Sequence, residues 1–192
     1  MTTMTFSRLM QAFITLAVLG FGLPVLAQQL VPAQSEIVFV SKQMGVPVEG
    51  RFQKFGAKIV FNPSKPDQAN IAFTVDMASA TLGVKETDAE LPKADWFNTA
   101  KFAQATFQST SVKALGAGKF EVAGKLSIKG ATQQVLVPVT LSQAGANTTA
   151  TGAFALKRLA FKIGDNEWSD TSMVADEVQV KFKFALTGVA KL

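Results

Sequence analysis

The chain has 192 residues, 19 Lys and Arg against 14 Asp and Glu, 16 Phe, and no His, Cys or Tyr. Without His or Cys the common nucleophile–base pairs and thiolate chemistry are unavailable, and a chain without disulfides must hold its fold by burial. The basic excess is scattered singly, as on solubilised sheet surfaces, and gives no nucleic-acid footprint.

Residues 1–27 carry one charge, Arg8, ahead of an apolar run from Leu9 to Leu26. Val25-Leu26-Ala27 offers small residues where a signal peptidase reads, so the run is predicted to be a cleaved signal peptide and Gln28 the first mature residue. The rival reading is a retained membrane anchor, and Gln11, Thr15 and Pro24 count against it. Export of a single domain, 28–192, to the periplasm is the expectation. Its mild basicity allows transient contact with a membrane surface.

In chain order, Ser35 to Val40 predicts a short apolar strand, and Val46 to Phe61 a longer one bent at Gly50 and Gly56. Asn62 to Asp67 is a turn by composition. Ile71, Phe73, Val75 and Met77 then alternate with Ala72, Thr74, Asp76 and Ala78. Val84 to Phe97 is the one helical candidate, with Glu86, Asp88 and Glu90 near its start. Pro92 should cut it into two short turns. Strands resume at Ala105 to Lys113.

Lys119 to Leu141 is the clearest stretch. Phe120, Val122, Leu126 and Ile128 fall on every second position, with Lys119, Glu121, Lys125, Ser127 and Lys129 on the opposite, wet face. Lys129-Gly130-Ala131-Thr132 turns the chain, and Val135, Val137, Val139 and Leu141 resume the pattern. Pro138 cannot donate to a ladder, so pairing should lapse there. Strands are further predicted at Thr148 to Leu156, Leu159 to Ile163 and Glu177 to Leu186, with a loop from Gly164 to Ser172. About eight strands, each buried on one side, indicate an all-β antiparallel barrel. Lys125, Lys181 and Lys183 on the strands, and the absence of Tyr girdles, disfavour a membrane barrel.

Several stretches together resemble the YceI-like family of exported lipid-binding proteins. They are Ser35 to Phe39; Val48-Glu49-Gly50-Arg51-Phe52 with Phe55 and Ile59; Asp95-Trp96-Phe97-Asn98; and Lys101-Phe102 with Ala105-Thr106-Phe107. Gly124 to Gly130, Lys157-Arg158 with Phe161, Ile163, Gly164 and Trp168, and the Val178 to Leu186 strand complete the match across 28–192. The resemblance implies an eight-stranded lipocalin-like barrel that carries a long-chain isoprenoid, of quinone or polyprenyl type, or a similar lipid. It implies no enzyme activity, no cofactor beyond that ligand, and a monomer or homodimer. Gln43 and Glu90 stand where that family often has His, and Ala103 where it often has Pro. A head-group role for those histidines therefore does not carry over.

Other sites read weakly. Ser127 and Lys129 are near neighbours on one strand, yet nothing supplies an oxyanion hole. Asp165, Asn166, Glu167, Asp170 and Asp176 form an oxygen-rich loop, but the spacing fails the calcium-loop pattern, and these residues are ordinary turn formers. The aromatic set is sharper. Phe39, Phe52, Phe61, Phe73, Phe107, Phe120, Phe182 and Phe184 occupy alternating strand positions and should converge, with Phe55 near them. Periodicity alone favours a solid interior; the resemblance implies a hollow one that takes a lipid. Trp96, Phe97 and Trp168 are candidates for the mouth, or else for capping one barrel end. With a solid barrel the rival function is an interaction module acting with a membrane redox or stress-response partner.

Overall fold

The period-two stretches fold as strands, and residues 28–192, which this computed structural model describes, are mostly sheet. In chain order these are β1 (Gln29–Leu30), β2 (Glu36–Gln43), β3 (Val46–Phe52), β4 (Phe55–Val60), β5 (Asn70–Asp76) and β6 (Ala80–Thr81). After the short helix α1 (Lys85–Asp88) come β7 (Gln104–Gly116), β8 (Lys119–Ile128), β9 (Ala131–Ala144), β10 (Asn147–Lys157) and β11 (Glu177–Thr187). The expected leader, 1–27, lies outside the described residues.

Every named pairing is antiparallel, in one sheet ordered β4-β5-β7-β8-β9-β10-β11-β2-β3-β6, with β1 added beside β11. β3 and β4 lie at opposite ends of this order, yet only Gln53 and Lys54 separate them in the chain, so the sheet must curl onto itself. β1 ties the seam. Gln29 pairs with Thr187 of β11, Gln28 bridges to Ile59 of β4, and the Gln28 amide group bonds both the N–H and the carbonyl of Phe61. The barrel that the alternation predicts is therefore formed. Eleven strands replace the predicted eight because two-residue β1 and β6 are invisible to periodicity and because Val46 to Phe61 breaks in two.

That break is not at the glycines. It falls at Gln53 and Lys54, where the Gln53 N–H bonds the Ser79 carbonyl and the Lys54 N–H bonds the Ser79 hydroxyl oxygen at 3.0 Å. Gly50 instead pairs squarely with Phe39 inside the β2–β3 ladder. Pro138 acts as expected on one side only. It stays in register with Glu121 of β8, while the β9–β10 ladder ends at Val139 and Gly152.

Three further stretches differ from expectation. The predicted strand at Leu159 to Ile163 is a 3-10 turn over Arg158–Phe161, because the chain there wraps the Arg158 side chain. Met77 and Ala78 leave the alternation for a turn capped by Asp76, whose carboxylate accepts the Ala78 N–H at 3.0 Å. Of the helical candidate, only four residues are α-helical, followed by linked turns up to Pro92 and beyond. Asp88 does not serve the helix end. Its carboxylate accepts from the Thr81 hydroxyl and the Leu82 N–H, both at 2.5 Å, and pins the helix to β6.

Burial concentrates in two clusters. One, with Phe61, Phe120, Leu141, Leu186 and Val189, closes the end where β1 and the C-terminal tail lie. The other, with Met77, Leu91, Phe97, Phe161 and Ile163, sits under the helical segment at the opposite end.

Candidate functional site

Alternation sends one set of side chains into the barrel, and they do not fill it. A cavity of about 400 Å³ runs through the interior, a volume typical of small-ligand sites. The solid interior that periodicity favours does not form. Phe39, Phe52, Phe61, Phe73, Trp96, Phe97, Phe107, Phe120, Trp168, Phe182 and Phe184 all line the cavity. Phe55 does not. Its ring packs against Phe184 at 6.0 Å between centroids, beside the core cluster. Phe154 was missed and lines the cavity too; the in-facing parity of β10, through Ala150, Phe154 and Leu156, would have shown it.

The rings cluster on the walls. Phe184 stacks on Phe73 at 4.6 Å and on Phe182 at 4.7 Å, while Phe61 meets Phe120 edge-on at 5.2 Å. Such contacts fix ring positions beyond simple area burial. Phe39, Phe52, Phe73, Phe107 and Phe182 are only partly buried although all five line the interior, since part of their surface faces the empty lumen.

One end opens. Among the lining residues only Thr87, Glu90 and Trp168 are exposed, and they come from the helical segment and the 164–172 loop. Trp168 lies 5.5 Å from Trp96, ring to ring, at this mouth. Phe97, 7% exposed, belongs to the buried cluster beneath it. The mouth also holds the polar groups that the sequence left unassigned. Ser41 and Gln43 continue the inward parity of Ile37 and Phe39 along β2, and among the described residues neither side chain has a hydrogen-bond partner within the protein. Glu90 pairs with Lys93 at 2.6 Å, and both are well exposed.

The mouth is braced by two buried cations. Arg158 is 2% exposed and donates only to backbone carbonyls: Ala175 from Nε, Ile163 and Gly164 from Nη1, Trp168 and Val174 from Nη2. Burial lowers its pKa from the ordinary guanidinium value, and the Asp176 charge partly opposes that. Lys129, expected on the wet face, is 7% exposed. Its position opens the Lys129-Gly130 turn with φ of 48° and 76°, which takes the side chain out of the strand alternation. Its ammonium donates to the carbonyls of Asp95 and Lys162 and to the Asp165 carboxylate at 3.3 Å. Ser127, its expected neighbour, bonds Thr132 instead, at 2.7 Å.

The oxygen-rich loop is dispersed in the same way. Asp165 serves Lys129, Asn166 donates to Asp95 at 3.0 Å, and Asp176 accepts the Leu159 N–H at 3.0 Å. Asp170 accepts from the hydroxyl and N–H of Ser172, which hold its carboxyl below the usual range. No cluster of potential metal ligands occurs among the described residues.

Residues 28–186 match the YceI-like domain. The chain belongs to the YceI-like family. Members similar to it include a UPF0312 protein of Shewanella baltica, 32% identical over 140 residues, which covers 68% of this chain and 73% of that one. The crystal structure of BcnA from Burkholderia cenocepacia superposes with a TM-score of 0.79 at 46% identity, covering 81% of this chain and 98% of that one. A polyisoprenoid binding domain from Saccharophagus degradans shares the fold at a TM-score of 0.69 and 16% identity, covering 84% and 98%. Within this YceI-like barrel, Gln43 and Glu90 both line the lumen at its mouth.

Proposed function

We propose that this protein is an exported carrier that holds the hydrocarbon tail of a long-chain isoprenoid, of quinone or polyprenyl type, or a similar lipid, without chemistry. The observation that carries this reading is the apolar lumen of about 400 Å³, walled by aromatic and branched side chains and open at one end. Each buried methylene contributes about 0.8 kcal/mol, so about ten of them supply about 8 kcal/mol against an association cost of roughly 4–15 kcal/mol. The Saccharophagus polyisoprenoid binding domain, built on the same fold, supports it. The leader-like residues 1–27 support a periplasmic site of action.

Head-group preference follows from the mouth. Among the described residues Arg158 is the only Lys or Arg on the lining, and its donors are already bonded to carbonyls. Ser41 and Gln43 offer neutral hydrogen bonds, and Glu90 adds negative charge. A phosphate would meet no free cation there, so a neutral head (prenol, quinone) is favoured. Stripping the protein with organic solvent, adding back prenol or the matching prenyl phosphate, and recording native mass spectra tests both claims. A one-to-one prenol complex, at least about tenfold tighter than the phosphate, is expected. Uptake of neither lipid rejects the carrier; equal uptake of both rejects the head-group assignment.

A further inference from the structure

Three glycines stand on the inner wall of the barrel, and a phenyl ring lies directly over each. A Cβ on Gly50 would sit 2.3 Å from Cζ of Phe39; on Gly124, 2.4 Å from Cζ of Phe107; on Gly152, 2.4 Å from Cζ of Phe182. Carbon atoms in contact settle at about 3.5 Å or more, so each ring occupies space that any other residue's Cβ would claim. Phe39 and Gly50 are direct cross-strand partners, as are Phe182 and Gly152, while Phe107 reaches Gly124 diagonally across the β7–β8 pair. A ring laid over a strand glycine covers exposed backbone and is held flat against the sheet.

We infer that these three glycine recesses set the bore of the lumen and thereby the thickness and length of chain it admits. The inference rests on the carrier reading above and goes beyond it by naming the residues that select among ligands. Phe39 and Phe182 sit on the paired strands β2 and β11, and Phe107 on β7, four places from β11 in the sheet order, so the recesses act on two sectors of the wall. Inward swing of any one ring narrows the passage locally. Three of the ten Phe on the lining are parked against glycines, which keeps open space that an interior so rich in Phe could otherwise fill.

Gly50 gives the clean test, since the nearest atoms its Cβ would meet belong to the side chains of Phe39 and Leu82. Gly124 and Gly152 also approach backbone carbonyls, of Gln108 at 2.7 Å and Pro138 at 2.5 Å, and substitutions there threaten the fold itself. Binding of farnesol and of geranylgeraniol is measured for the wild type, Gly50→Ala, and the double variant Gly50→Ala/Phe39→Leu, alongside a crystal structure of Gly50→Ala. The ring of Phe39 should move inward by about 1 Å or more. Geranylgeraniol binding should weaken at least about tenfold and farnesol binding less, with recovery in the double variant. A folded Gly50→Ala protein with unchanged affinities, or no recovery in the double variant, overturns the gauge. Failure of the wild type to bind either prenol overturns the carrier reading instead. The Phe39 ring position in Gly50→Ala then decides the gauge separately.

Discussion

Arg158 shows how one side chain organises an irregular region. Its five contacts to carbonyls draw Ile163, Gly164, Trp168, Val174 and Ala175 around a single guanidinium, and all lie within 163–175, the stretch that carries the mouth loop. A lysine cannot reproduce that fork, because an ammonium offers three donors from one point. Arg158→Lys should strand several buried carbonyls and cost roughly 3 kcal/mol, read as a lower urea midpoint with unchanged slope. The same variant should raise proteolysis within 164–173 before the barrel itself is cut. Lys129 braces the other side of the mouth. From the sequence it looks like one more solvated lysine in an alternating strand. What moves it inside is the turn geometry at its own position and the carbonyls that wait there, contributed by residues 95 and 162.

At the scale of elements, period-two alternation specifies strands and their inward faces well and specifies ends poorly. The β8–β9 hairpin and β11 lie where the pattern puts them, because each has several alternations bounded by turn residues. The Leu159 to Ile163 stretch mimics a strand by composition, but the tertiary demand of Arg158 overrides it. The β2–β3 hairpin carries a local conflict that makes a prediction. Its two-residue turn is Met44-Gly45 with φ of 48° and 80°, and Met44 is 71% exposed. Such turns favour Asn at the first position, since an ordinary side chain there is strained. Met44→Asn should therefore stabilise the protein by about 0.5–1 kcal/mol, seen as a rise in Tm of a few degrees. A fall in Tm would show that Met44 makes a contribution its exposure does not suggest.

For the whole molecule, the division of labour is between two sealed or braced ends and a hollow middle. The end with Phe61, Leu186 and Val189 is closed by β1 and by the tail, where Gln143 bonds the carbonyls of Val189 and Ala190. Among the described residues the lining is exposed only at Thr87, Glu90 and Trp168, where the proposed ligand would enter. Two measurements follow. Trp168, 38% exposed and beside Trp96, should report tail entry as a change in tryptophan emission, and Trp168→Phe should remove most of that signal while leaving affinity within a factor of about three. Saturating ligand should also raise Tm with its concentration, since only the folded barrel offers the lumen. A ligand that binds without changing either would be seated outside the barrel.

The amino-acid sequence by itself determined most of the strands and their inward sides, because alternation and turn residues are local properties that a single chain displays in order. Inward parity also placed eight aromatic residues on the cavity wall, while Trp96, Phe97 and Trp168 reach it from turns that parity does not describe. Whether that wall encloses space could not be read the same way. Hollowness depends on which residue faces which across neighbouring strands: Gly50 under Phe39, Gly124 under Phe107, Gly152 under Phe182. That register joins positions up to 30 residues apart and exists only once neighbouring strands have paired.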